Sequence, residues 1–375
     1  MPTFSTAARA IFATIVLLAG ALQAQAAGGL FDLEWKELAP GIHVGQRADP
    51  MRYPVVCNTV IVIGSDGVLV FDGGGFPAQG EQVAAKIKSL TPKPVKFIVI
   101  SHWHGDHNRG ISPILDAYPS AQIVGHEFTR AAMLGAPMQR IHKAEREGDV
   151  RDTAEAVMKA LADNKFIDGS PLDPAERPFL ERFVADSATH QAEVARMKIT
   201  PPTIVFDKEL FLKLGDRTVE LRHYGPANTK GDAVMILSRE GIVASGDIVV
   251  APVPYGFGSY PASWANALKQ IKATNYRTLI PGHGPLQTDT AYVDLLIEAL
   301  ESVTAQVNAM IAQGRSLDEI RKAVDFSKVE PRFTKGDPVL KRFFGLFFKQ
   351  PIVPAAYNVA KGIENEKLTE ELAKP

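Results

Sequence analysis

A single cysteine, Cys57, stands in 375 residues, which excludes an internal disulfide framework and any thiolate-rich zinc module. Basic clusters are also missing: 41 Lys and Arg face 42 Asp and Glu, a formal charge of -1, so there is no electrostatic footprint for nucleic acid. Past the first 26 residues no second membrane-spanning run is expected, so stable membrane insertion is not expected either. A hydrophobic share of 46% is nevertheless ample for a large core. Metal chemistry, if present, falls to nine histidines and the carboxylates.

Residues 1 to 26 differ from the rest. Arg9 is their only charge, Ile11 to Leu22 form an apolar run of signal-peptide length, and Ala24-Gln25-Ala26 matches a small-x-small cleavage site. The reading is an export signal cut before Ala27 and a periplasmic or secreted product. Cys57 lies in an apolar stretch and reads as core.

The rest is expected to form one large domain, 27 to 300, followed by a helical C-terminal extension, 301 to 375. Asp66-Gly67 between apolar runs predicts a hairpin over 61 to 71, and Val95 to Ile100 reads as a buried strand. The Ala-, Glu- and Arg-rich stretch from about 127 to 200 reads as a helical insert. Its Met133, Leu134, Met138 and Ile141 suit core packing or a lid wall beside a pocket. Short strands return from Thr203 to Ala244 and at Thr278 to Ile280, with helices after them. Sheets covered by helices in a layered α/β arrangement follow.

The densest cluster of chemistry is Ser101-His102-Trp103-His104-Gly105-Asp106-His107, directly after the buried strand. Three imidazoles and a carboxylate this close cannot all be core without leaving polar atoms unsatisfied, and a metal resolves the conflict. His102 and His104 can reach one ion, Asp106 and His107 a second. Asp247 and His283 also follow apolar runs. Loops at strand ends converge at one sheet edge, giving a nitrogen and oxygen site of the kind zinc prefers.

These motifs, with Phe71-Asp72-Gly73-Gly74 and the turn Gly225 to Asp232, occur in the order seen in the metallo-β-lactamase fold superfamily. The resemblance covers roughly residues 38 to 126 and 203 to 290. It implies a four-layer αββα sandwich holding one or two Zn2+: His102 and His104 at a first site, Asp106, His107 and His283 at a second, Asp247 bridging. Asp72 would support the ligand loop without binding metal. One position departs from the pattern. Asn228 stands where the family places its remaining first-site histidine, and a neutral amide is a poorer ligand than imidazole. Three outcomes are open: Asn228 ligates weakly, the second site alone is filled, or another group such as His223 substitutes.

The expected reaction is hydrolysis of an ester, lactone or amide, β-lactams among them, in a small-molecule substrate. Asp106 would orient the attacking water and shuttle its proton. Tyr255 or Tyr260, in a proline-stiffened aromatic loop, would donate to a developing oxyanion or simply pack. Phe343 to Phe348 would line a pocket, touch a membrane or fill the core. The competing readings are an iron-dependent redox enzyme of the sulfur dioxygenase kind, which Asn228 disfavours, and a non-catalytic metal-binding protein.

Overall fold

A computed structural model describes residues 29–368, and the expected export signal lies outside them. The first sheet carries β1 (Glu34–Ala39), β2 (Ile42–Gln46), β3 (Thr59–Ile63), β4 (Val68–Phe71), β5 (Val95–Val99), β6 (Gln122–His126) and β7 (Ile204–Phe206), side by side in chain order. Neighbours are antiparallel from β1 to β4 and parallel from β4 to β7. The second sheet carries β8 (Glu209–Lys213), β9 (Thr218–Arg222), β10 (Val234–Leu237), β11 (Ile242–Ala244) and β12 (Thr278–Ile280), with only β11 and β12 parallel.

Alternation along the strands builds the layers. Val60, Val62, Leu69 and Phe71 point inward with Met235, Leu237, Ile242 and Ala244 to form the core between the sheets. Their neighbours Ile61, Val68 and Val70 point outward onto Val83 and Ile87 of the helix Pro77–Leu90. Val234, Ile236 and Val243 meet Trp264, Leu268 and Ile271 of the helix Pro261–Ala273 on the opposite outer face. The central strands of both sheets are thus covered on both faces, giving the αββα sandwich. Each fully buried aliphatic side chain here contributes about 1.5–3 kcal/mol of transfer free energy.

The segment between β6 and β7 must cross over, because those strands are parallel. It does so through the helices Glu127–Leu134, Ala136–Ala144, Val150–Ala162 and Arg177–Val194. The second and third meet at a wider turn, 145–149, where Gly148 takes φ +118°. The methionine stripe divides: Met133 and Met138 are buried, Leu134 is exposed, and Ile141 faces the cavity described below.

The helix Ala291–Ala312 runs unbroken through residue 300, where the boundary was expected. Its length and composition would let it cross a membrane, yet Leu296, Leu300, Val303 and Val307 are buried. They share one core with Trp264 and with Phe326, Phe333, Phe344, Phe348 and Ile352 of the C-terminal region. Phe343, Phe344 and Phe348 are therefore core, whereas Phe347 reaches the cavity.

Candidate metal centre

Four strand ends deliver the site. Asp72 follows β4, Ser101 to His107 follow β5, Asp247 follows β11 and His283 follows β12. Asp72 sits in the left-handed region at φ +58°, an uncommon backbone state for a residue with a Cβ, and two contacts hold it there. Its Oδ1 accepts from the Ser101 backbone N–H at 2.8 Å, and its Oδ2 lies 2.8 Å from His107 Nδ1. Gly282 has no room for a side chain: a Cβ there would lie 2.0 Å from Asp247 Oδ1, so glycine lets the two loops close on each other.

His107 and His283 show why a cation fits. The Val56 carbonyl, 2.9 Å from His283 Nδ1, can only accept, so Nδ1 carries a proton and Nε2 is the nitrogen left to face a cation. The Asp72 carboxylate fixes His107 in the same tautomer. The two Nε2 atoms then face each other at 3.2 Å. Asp106 Oδ2 is 3.0 Å from His283 Nε2, and Asp247 Oδ1 is 3.1 Å from His107 Nε2. Two imidazole nitrogens and two carboxylates aimed at one point are a donor set for a divalent ion.

A second group shares Asp247. His102 Nε2 lies 2.9 Å from His104 Nδ1 and 3.7 Å from Asp247 Oδ2, while Ser101 Oγ holds His102 Nδ1 at 3.0 Å. The six proposed histidine and aspartate ligands thus converge in two groups, each with its ligand atoms within 4.8 Å of one another.

The electrostatics agree with metal binding. Burial pulls the His107 and His283 imidazoles down, but Asp247 with the other nearby carboxylates outweighs it and holds both above the usual histidine range, so this negatively charged cluster draws a proton onto each ring, and a cation bound there would take that proton's place. Burial drives His102 and His104 below that range, which keeps them neutral, the ligating form. Burial also pushes Asp106 and Asp247 up, yet His107 and His283 overcome it and keep both carboxyls ionised.

Asn228 is buried at 1% exposure. Its Nδ2 donates to the Tyr255 carbonyl at 2.8 Å, and its Oδ1 has no hydrogen-bond partner among the described residues. A buried amide oxygen without a donor is a vacant acceptor. His223 does not take its place: His223 Nδ1 lies 2.9 Å from the Asp232 carbonyl, and its ring packs on His126 at 4.1 Å between centroids.

The centre opens into a cavity of about 460 Å³. Tyr53, Phe76, Ile141, Tyr255, Phe257 and Phe347 make its walls largely apolar, and Asp106 and His104 lie at its floor. Asp106 is the most exposed of the carboxylate ligands, at 23% against 2% for Asp247. Tyr255 reaches the site, its ring 5.5 Å from that of His283, and burial pushes its phenol far up, so it stays a donor. Tyr260 does not line the cavity. Its hydroxyl is turned to Glu364 of the C-terminal segment, so the expected substrate contact from Tyr260 is corrected to a structural one.

Arg109, Glu145 and His190, to which the sequence gave no role, belong to this surround. Arg109, three positions after Asp106, pairs with Glu145 of the insert at 2.7 Å. His190 lines the cavity, edge-on to Phe76, and burial lowers it to about 4. Its place on the insert was the missing signal. Cys57 lies behind His107 and Asp72, and burial raises its thiol out of the reactive range.

The sequence profile of the metallo-β-lactamase superfamily matches residues 52–283. A linear primary-alkylsulfatase of Pseudomonas sp. is 20% identical over 302 residues, covering 75% of this chain and 51% of that protein. A lactamase-like protein of Emericella nidulans is 32% identical over 78 residues, 21% of this chain and 25% of its own length. Among solved structures, a stereoselective inverting sec-alkylsulfatase from Pseudomonas sp. superposes with a TM-score of 0.60 at 14% identity, covering 89% of this chain and 51% of that one. The chain therefore spans about half the length of the two alkylsulfatases.

Proposed function

Since the chain belongs to the metallo-β-lactamase superfamily, whose members are metal-dependent hydrolases, we propose that it uses zinc, one or two ions per chain, to hydrolyse an ester, lactone or amide bond in a small molecule. The observation that carries this reading is the pair of Nε2 atoms of His107 and His283, 3.2 Å apart with two carboxylates beside them. A divalent ion held there supplies a water with a pKa near 7 and polarises the oxygen under attack.

The chain's own groups do the rest. Asp106, partly open to the cavity and held ionised, accepts and passes on a proton. Tyr255 keeps its phenolic proton and donates to charge developing on the substrate. The aromatic and aliphatic walls exclude water from an apolar substituent. Those walls, and the likeness to a linear primary-alkylsulfatase, are the reason to include alkyl sulfates among the esters tested. The N-terminal 26 residues direct export to the periplasm or beyond, and the partners are small molecules, not nucleic acid.

Metal analysis of the purified protein is expected to find about one to two zinc per chain. Iron as the main metal would overturn the hydrolase in favour of the redox reading. On zinc-loaded protein, a panel of nitrocefin, lactones, phosphodiesters and alkyl sulfates is expected to contain a substrate, and Asp106→Ala abolishes its turnover. Unchanged turnover in that variant would remove this site from the reaction. Cell fractionation checks export, and absence from the periplasmic and secreted fractions would refute it.

A further inference from the structure

The C-terminal segment 361–368 returns to the loops that carry the first metal group, although it lies more than 130 residues from either. Glu366 is buried, at 9% exposure. One carboxylate oxygen accepts from Trp103 Nε1 at 2.6 Å, and the other accepts from the Lys230 backbone N–H at 2.5 Å. Trp103 stands between His102 and His104, its ring 4.6 Å from that of His104. Lys230 stands two residues after Asn228. A single buried carboxylate thus ties together the two loops that hold His102, His104 and Asn228.

Flanking contacts keep it in place. Glu364 accepts from Lys230 Nζ at 2.6 Å and from the Tyr260 hydroxyl. Asn365 Nδ2 donates to the Ser259 carbonyl at 2.7 Å. The segment therefore spans the His102 loop, the Asn228 turn and the loop beyond Asp247.

We propose that Glu366 is a positioning residue for the first metal site, setting the distance between the His102–His104 loop and the Asn228 turn through its two hydrogen bonds. This rests on the proposed function, in the form in which both metal groups are filled. The chemistry selects a carboxylate. Both partners are donors, so the position needs two acceptors on one rigid fork. A glutamine offers one acceptor and turns its NH2 toward the remaining donor. The demand is greatest at this site because Asn228 contributes only a neutral oxygen, so its placement has to come from the surround.

The test uses the full chain with Glu366→Ala and Glu366→Gln, titrated with cobalt(II) against a competing chelator while the visible spectrum is followed. The expected result is that the metal equivalent held by His102 and His104 binds about tenfold or more weakly, while the equivalent held by Asp106, His107 and His283 changes by less than about twofold. Glu366→Gln keeps shape and volume, so it remains informative if the alanine variant does not fold. Unchanged binding at both sites overturns the proposal. So does equal weakening at both, which marks general loosening of the fold. If the unaltered protein takes a single equivalent, the two-metal reading fails and amide hydrogen exchange decides. Faster exchange confined to 101–105 and 226–231 in the variants supports the positioning role, and unchanged exchange overturns it.

Discussion

Asp72 grips His107 through Nδ1 at 2.8 Å while its other oxygen receives the Ser101 backbone N–H at 2.8 Å, so one carboxylate fixes both a ligand's tautomer and the loop that bears it. Removing it frees the imidazole to rotate and to present a proton where a lone pair is needed. Asp72→Ala is expected to weaken metal binding at the second site by about 10- to 100-fold, measured by chelator competition. Asp72→Asn should keep the fold better, because asparagine tolerates the φ of +58°, yet lose affinity, since its NH2 would face the His107 Nδ1–H. Wild-type affinity in both variants would refute the role.

Asn228→His is expected to raise first-site affinity. The orphaned amide oxygen would be replaced by an imidazole nitrogen, a stronger zinc ligand, at a position already buried to 1% exposure. Metal content and affinity are the readouts. If both metals bind more firmly while turnover stays as before, hydrolysis runs from the second site. A variant that loses metal would contradict the assignment of Asn228 to the first site.

What the sequence revealed follows from how local each signal is. The Asp66-Gly67 turn between apolar runs gave the β3–β4 hairpin because turn type and strand period are properties of a few adjacent residues. His102 to His107 stood out because so many ligating groups in so few residues have no apolar explanation. Asp247 and His283 were individually ordinary, and only the strand-end rule joined them to the cluster. Tyr255 and Tyr260 were indistinguishable in sequence. Their separation depends on Glu364, more than 100 residues away, which captures one hydroxyl. Sequence separation likewise hid Glu366 from Trp103, 263 residues apart, and Glu145 from Arg109, 36 apart. The helix from Asp289 onward was legible from the spacing of Leu295, Leu296, Ala299 and Val303 on one face, and it runs on through residue 300 to Ala312.

Arg109 and Glu145 form a buried ion pair, 5% and 19% exposed, that fastens the helical insert to the loop carrying Asp106. Glu145→Ala leaves a buried guanidinium without its partner and is expected to cost about 3 kcal/mol, whereas replacing both residues with Met should cost much less. Denaturant unfolding monitored at equilibrium checks the difference. Equal losses in the single and double variants would show that the pair does not fasten the insert. A change in substrate KM accompanying the single variant would follow from Ile141, His190 and Glu145 all lining the cavity from the insert.

Two imidazoles outside the metal cluster set an acid limit on stability. Burial lowers His126 to about 4, with His223 beside it adding to the effect, and burial lowers His190 to about 4, with Arg109 adding. Both are neutral in the folded protein at neutral pH. An unfolded chain, with histidines near pKa 6.5, binds more protons than the folded one between about pH 6.5 and 4. The stability these residues contribute is therefore complete above pH 6.5 and is lost as pH falls through that window. Thermal midpoints should decline from pH 6.5 toward 4. In His190→Phe the decline should be shallower, since an aromatic ring preserves the contacts with Phe76 and Tyr53 at 5.2 and 5.6 Å but cannot take up a proton. An unaltered slope in that variant would show that His190 does not supply the acid sensitivity.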